Sequence, residues 1–159
     1  MKHAPFALRI DEIDAKILRL LQQDAGLPQR EIAERVGLSA PAVQRRIARM
    51  QADGVIQRTV AVVDPRAIGN PITVIVEVTL TTDRSDVLSA AKAFFREAAE
   101  VQQCYCVAGT AALVVILLVP ALEAYEERTA RLFGDNELVR AFRTVVVLDR
   151  IKTGLEIPI

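Results

Sequence analysis

Residues 29–47 read QREIAERVGLSAPAVQRRI, and their spacing decides the fold of the N-terminal third. Pro28 opens a short helix, Gln29 to Val36, whose inner face is Ile32, Ala33 and Val36. Gly37 ends it in the left-handed conformation that glycine reaches without a Cβ penalty. Ser39 then caps a longer helix, Ala40 to Ala52, with Pro41 in its first turn, where a missing N–H breaks no helical bond. Val43, Ile47 and Met50 recur at i, i+4 and i+7. A small Ala33 lets the two helices cross closely, Gly37 makes the sharp turn, and Val43 closes the core with Ile32, Val36, Leu38 and Ile47. The joint pattern is that of a helix-turn-helix.

Upstream, Asp11 to Gln23 predicts a further helix, with Ile13, Ile17, Leu20 and Leu21 at helical spacing, Asp11 as N-cap and Asp24-Ala25-Gly26 as its stop. Downstream of Gly54, Val55 to Val63 reads as a strand. Asp64-Pro65 and Gly69-Asn70-Pro71 mark a linker. The expected division is a DNA-binding domain over 1–63, a hinge over 64–72 and a second domain over 73–159.

The second part alternates strands and helices. Thr73 to Thr81 is rich in β-branched residues and reads as a strand, Ser85 to Arg96 as a helix, and Val101 to Ala108 and Leu113 to Val119 as strands. Ala121 to Leu132 is a helix and Phe142 to Ile151 the last strand. The order β-α-β-β-α-β is the ferredoxin-like arrangement, with two helices on one sheet face. The other face is left bare, carrying Val74, Val76 and Val78 or their neighbours, and invites pairing with a second copy. The fold class expected is therefore α+β.

Charge supports the division. The whole chain has 20 basic and 20 acidic residues, which argues against a nonspecific nucleic-acid packer. Residues 1–63 hold ten Lys/Arg against seven Asp/Glu, a net of +3, and the rest is net −3. The outward face of the third helix carries Gln44, Arg45, Arg46 and Arg49, and Arg58 follows it. N-terminal residues of a recognition helix reach base edges, so Ser39, Gln44 and Arg45 are the candidates for base contacts. Arg46 and Arg49, a turn further on, are expected to meet phosphates. The plainer alternative is a solvated arginine face.

Other chemistries find little support. The single histidine, His3, lies in the N-terminal tail, so Ser-His-Asp, Cys-His and histidine-metal sites are not expected. No catalytic residue, metal or cofactor is assigned, and the chain is not expected to be an enzyme. The rival reading is a ferredoxin-like small-molecule-binding or enzymatic domain with a helical appendage. Cys104 and Cys106 share one strand face and read as small buried hydrophobes. Two cysteines, no apolar leader and no apolar run beyond Ala111 to Pro120 lead to the expectation of a cytoplasmic protein without a membrane span.

Several segments together resemble the Lrp/AsnC (feast/famine) family of transcriptional regulators, over nearly the whole chain. IDEIDAKILRLLQQDAG is similar to the family's opening helix, and EIAERVGLS and VQRRIARMQADGVI to its helix-turn-helix and exit strand. DPRAIG resembles the hinge, VQQCYCVAG the second strand of the regulatory domain, and FRTVVVLDRIKTGLEIP the closing strand and tail. The resemblance implies a winged helix-turn-helix domain, a ferredoxin-like RAM-type effector domain, binding to double-stranded DNA, homodimers that assemble to octamers, and regulation by an amino acid or related metabolite. It also implies an effector site around Gly109, Thr110, Ala112, Asp135 and Asn136. Here the loop reads Gly109-Thr110-Ala111-Ala112-Leu113, without the family's two acidic residues, so this loop offers no charge partner for an α-ammonium group.

Overall fold

The computed structural model describes residues 10–159. His3 lies outside them. The chain forms two compact units, one running to Val62 and taking in Thr153–Ile159, the other spanning Val63–Lys152.

The first unit is built from α1 (Glu12–Gln23), α2 (Gln29–Val36) and α3 (Ala40–Ala52). Each helix has one apolar stripe and buries it against the other two. Ile17, Ile32, Ala33, Val43 and Met50 form the fully buried centre, ringed by Ile13, Leu20, Leu21, Val36, Leu38 and Ile47. These are the residues the helical spacing picks out. Gly37 holds φ at 72° between α2 and α3, a conformation that would strain any residue with a Cβ.

Two local details differ from the sequence reading. Ser39 stands at the N-cap of α3 in extended backbone, but its hydroxyl makes no cap bond. Val55 to Val63 forms no strand, because among the described residues it finds no neighbour to pair with. An extended, β-branched segment becomes a strand only when a second strand meets its backbone groups. The tail closes on α1 instead: the Gln22 carboxamide accepts from the Ile157 N–H (2.6 Å) and donates to the Ile157 carbonyl (3.0 Å).

The second unit contains β1 (Ile72–Leu80), α4 (Ser85–Glu97), β2 (Val101–Cys106), β3 (Leu113–Val119), α5 (Leu122–Thr129) and β4 (Val139–Val146). The sheet order is β2-β3-β1-β4 with every pair antiparallel, the ferredoxin-like topology. After α5 the helix widens into a π-turn, Ala130–Gly134, which buries Leu132 and Phe133. Phe133 stacks on Phe95 of α4 and leans against Phe142 of β4, tying both helices to the sheet.

Strand alternation assigns the two faces. Val74, Val76, Val78 and Leu80 of β1 and Leu113, Val115, Leu117 and Val119 of β3 face the helices and are buried. The bare face therefore belongs to their neighbours: Ile75 beside Ile116 and Val145, and Glu77 beside Val114 and Arg143. Among the described residues one charge pair crosses it, Arg143 donating twice to Glu77 at 3.0 and 2.8 Å. The last strand sits three residues earlier than its hydrophobic run suggests. Its register is set by β1, which begins at Ile72, so after Val147 donates to the Thr73 carbonyl no partner backbone remains.

Candidate nucleic-acid interface and a second groove

The position of α3 is fixed through charges as well as apolar contacts. Asp11 and Asp14 form a reciprocal capping box at the start of α1: the Asp11 carboxylate accepts from the Asp14 N–H (2.7 Å) and the Asp14 carboxylate from the Asp11 N–H (3.3 Å). Asp14 is fully buried. Arg46 of α3 donates to Asp11 at 2.7 Å and to Asp14 at 2.8 Å, and Arg49 donates to the other Asp14 oxygen. A buried carboxylate is tolerable only with such partners. Arg46, placed among the phosphate contacts by the sequence reading, thus spends its guanidinium on α1 and is about three-quarters buried. Its pairing partners lie 32 and 35 residues away, beyond the reach of helical spacing. Arg49 shares the buried carboxylate but keeps its side chain 48% exposed.

Gln44 and Arg45 point the other way. Both are exposed, and among the described residues neither side chain is engaged in a hydrogen bond or ion pair. Ser39 at the start of the helix is likewise exposed with a free hydroxyl, and Arg58 is exposed beyond its end. The arginines of α2 are occupied differently: Arg30 pairs with Glu34 and Arg35 with Glu31, one turn apart on their own helix. Ser39, Gln44 and Arg45 therefore present uncommitted hydrogen-bonding groups at the start and along the first turns of α3.

The capping box makes a pH prediction. The Asp14 N–H, and then the Arg46 guanidinium, hold the Asp11 carboxyl below the ordinary aspartate range. A lowered folded value adds stability that is complete above the ordinary range and is lost as pH falls through the lowered one. Asp11→Asn keeps a capping oxygen but no charge. Its deficit against wild type in urea unfolding is expected to be largest at neutral pH and to close as pH falls below the ordinary aspartate range and through the lowered one. A deficit that does not change with pH contradicts the assignment.

In the second unit a groove of about 550 Å³ opens where β1, the β2–β3 loop and the first turn of α4 meet. Gly109, Thr110 and Ala112 line it, as the sequence reading places them together. Asp135 and Asn136 do not. The Asn136 side chain donates to the Leu132 carbonyl (3.2 Å) and accepts from the Leu138 N–H (3.0 Å), so it is spent on closing the turn before β4. Two groups that spacing did not suggest do line the groove, Asp83 from the β1–α4 loop and Arg140 at the bulge of β4. Cys106 is exposed at its rim rather than buried, while Cys104 packs against the core, where burial pushes its thiol up. Among the described residues no cluster of metal-ligating side chains occurs, and no helix is long and apolar enough to cross a membrane.

Comparison with known proteins gives these two units names. Residues 10–57 match a winged helix-turn-helix DNA-binding model, and residues 73–157 match the Lrp/AsnC ligand binding domain. A HTH-type transcriptional regulator of Sinorhizobium fredii is 38% identical over 154 residues, covering 97% of this chain and 91% of that protein. The crystal structure of an AsnC family transcriptional regulator from Agrobacterium tumefaciens superposes with a TM-score of 0.87 at 32% identity, over 93% of this chain and 96% of that one. A feast or famine regulatory protein from M. tuberculosis complexed with L-methionine superposes with a TM-score of 0.84 at 30% identity, over 92% and 97% of the two chains. With both units matched in order along the chain, the protein belongs to the Lrp/AsnC family of DNA-binding transcriptional regulators.

Proposed function

We propose that α3 enters the major groove of double-stranded DNA and reads it with Ser39, Gln44 and Arg45. The observation that carries this is the division of labour on one helix: Arg46 and Arg49 turn to the buried Asp14, while Gln44 and Arg45 are exposed and unengaged. Gln pairs bidentately with adenine and Arg with guanine, so these two side chains carry sequence information. Arg49, half-exposed, and Arg58 meet phosphates. Arg46 acts from behind, holding α3 at its angle to α1.

A module with so few cationic contacts binds weakly and salt-sensitively by itself, with a slope of log K on log salt of about −0.9 per phosphate neutralised. Tight specific binding needs two half-sites about 34 Å apart. The bare sheet face of the second unit supplies the pairing: Ile75, Val114, Ile116 and Val145 stand on it half-exposed, and no helix of that unit covers them among the described residues. We read the protein as a cytoplasmic homodimer, assembling further to an octamer, without enzymatic activity. Its second unit responds to a small metabolite, as the likeness to a regulator complexed with L-methionine supports. An effector acts by binding one assembly or orientation better than another.

Selection of bound duplexes from a random pool tests the reading. The account expects one enriched motif with two half-sites, bound about a thousandfold more tightly than a scrambled duplex. Equal affinity for both would leave a nonspecific binder.

A further inference from the structure

We propose that Gln22 is a positioning residue for DNA reading: it captures the tail at Ile157 and so ties the helix-turn-helix unit to the second unit at two points of the chain instead of one. The inference rests on reading α3 as the helix that enters the major groove. Its starting point is the division of the chain. Residues Thr153–Ile159 belong to the first unit although they follow the whole of the second, Val63–Lys152. The chain therefore crosses between the units twice, after Val62 and after Lys152. A body joined at one crossing can swivel about it. A second crossing removes most of that freedom, but only while its far end is held.

Side chains from the last two turns of α1 do the holding. The Gln22 carboxamide serves both main-chain groups of Ile157, as a neighbouring strand would, accepting at 2.6 Å and donating at 3.0 Å. Arg19, one turn earlier, donates to the main-chain oxygen of Ile159 at 2.5 Å. Apolar burial adds little, since Leu155 and Ile157 are 72% and 66% exposed. Three exposed hydrogen bonds, set against the ordering of the tail, favour the docked state by a factor on the order of ten to a hundred. That is enough to hold the tail, and little enough for one substitution to release it. The other end of α1 reaches α3, where Asp11 and Asp14 take Arg46 and Arg49. A tail fixed to α1 is thus fixed to the reading helix through a single rigid element. Gln22 and Ile157 lie 135 residues apart, so no spacing announces the contact.

The test uses the full chain in two variants made on opposite sides of the contact. Gln22→Ala removes the partner on α1, and Ile157→Pro removes the donating N–H while leaving α1 untouched. Hydrogen exchange reads the docking: the Ile157 amide is expected to be protected about tenfold more in wild type than in Gln22→Ala. Dissociation constants are then measured for the selected two-half-site duplex, for one half-site alone, and for the selected duplex with about five base pairs inserted, which turns the half-sites to opposite sides of the helix. Wild type is expected to lose at least about thirtyfold on insertion, and each variant about fivefold or less, with the double variant no different from either. Affinity for the single half-site is expected to stay within about twofold throughout, which a merely structural role for Gln22 would not allow. The inference is overturned by a wild-type insertion penalty in either variant, by an unprotected Ile157 amide in wild type, or by a variant that weakens the single half-site as much as the pair. A wild type that binds no duplex at all is a separate result, and defeats the regulator reading beneath the inference.

Discussion

Replacing Asp14 by alanine is expected to destabilise the helix-turn-helix unit by about 3 kcal/mol, the largest loss from any single polar side chain in that unit. Three hydrogen-bond donors converge on this carboxylate, the Asp11 N–H, Arg46 and Arg49, while the Asp11 side chain closes the cap on the Asp14 N–H. Alanine leaves the mostly buried Arg46 with Asp11 as its one remaining partner, and takes from Arg49 the carboxylate that draws it to α1. It also removes half of the capping box, which is worth about 1 kcal/mol by itself. For a unit of this size the loss corresponds to a fall of about 10–20 °C in the melting temperature, read by far-UV circular dichroism. Asp14→Asn, which keeps an acceptor but not the charge, should recover part of the loss. A change under about 0.5 kcal/mol for the alanine variant would mean that the ion pairs do not hold α1 to α3.

The second large effect is expected from Ile116→Glu. Ile116 stands on the bare sheet face between Ile75 and Gln103, on the central strand β3. A glutamate there has water on its side in a single copy, so the monomer fold survives. Two such faces brought together would bury like charges without partners, at several kcal/mol for each. Light scattering after gel filtration is expected to give the monomer mass, with unchanged circular dichroism. Affinity for a two-half-site duplex is expected to fall at least about a hundredfold, because each half-site is then bound alone. An unchanged oligomeric mass would place the copy-to-copy contact on another face.

The parts of this structure legible in the sequence are those governed by local periodicity. The boundaries of α2 and α3 follow from Pro28, Gly37 and Ser39 together with the stripe Ile32, Val43, Ile47, Met50, since each signal acts within one or two turns. Strand order followed from the alternation of β-branched runs with helical ones. What eluded local reading depends on partners far along the chain. Val55 to Val63 has strand composition but no ladder, and β4 begins at Val139 because β1 dictates its register. Alternation alone could not say whether Val74 or Ile75 faces the helices; Ala91, Phe95 and Phe133 decide it by packing on the valines.

The candidate sites divide in the same way. Gln44 and Arg45 are found outward on α3 because helical geometry alone sets their direction. Arg46 and Arg49 lie on the same arc by spacing, yet a buried aspartate from α1 draws them in. A charged pair at positions 14 and 49 has no sequence signal except the presence of both charges. Gly109, Thr110 and Ala112 are contiguous enough to be read as one loop, whereas Asp83 and Arg140 join them only when the sheet forms. Asn136 had the composition of a ligand-binding position but serves its own turn, the commoner fate of asparagine there.

The account depends on Arg45 carrying sequence information while its neighbours carry position. The most direct measurement is the ratio of dissociation constants for the selected duplex and a scrambled one, for wild type and for Arg45→Ala. The predicted result is a loss of about 1–3 kcal/mol on the selected duplex with little change on the scrambled one, so that the ratio collapses by tenfold or more. An equal loss on both duplexes would make Arg45 a phosphate contact and contradict the assignment of α3 as the reading helix.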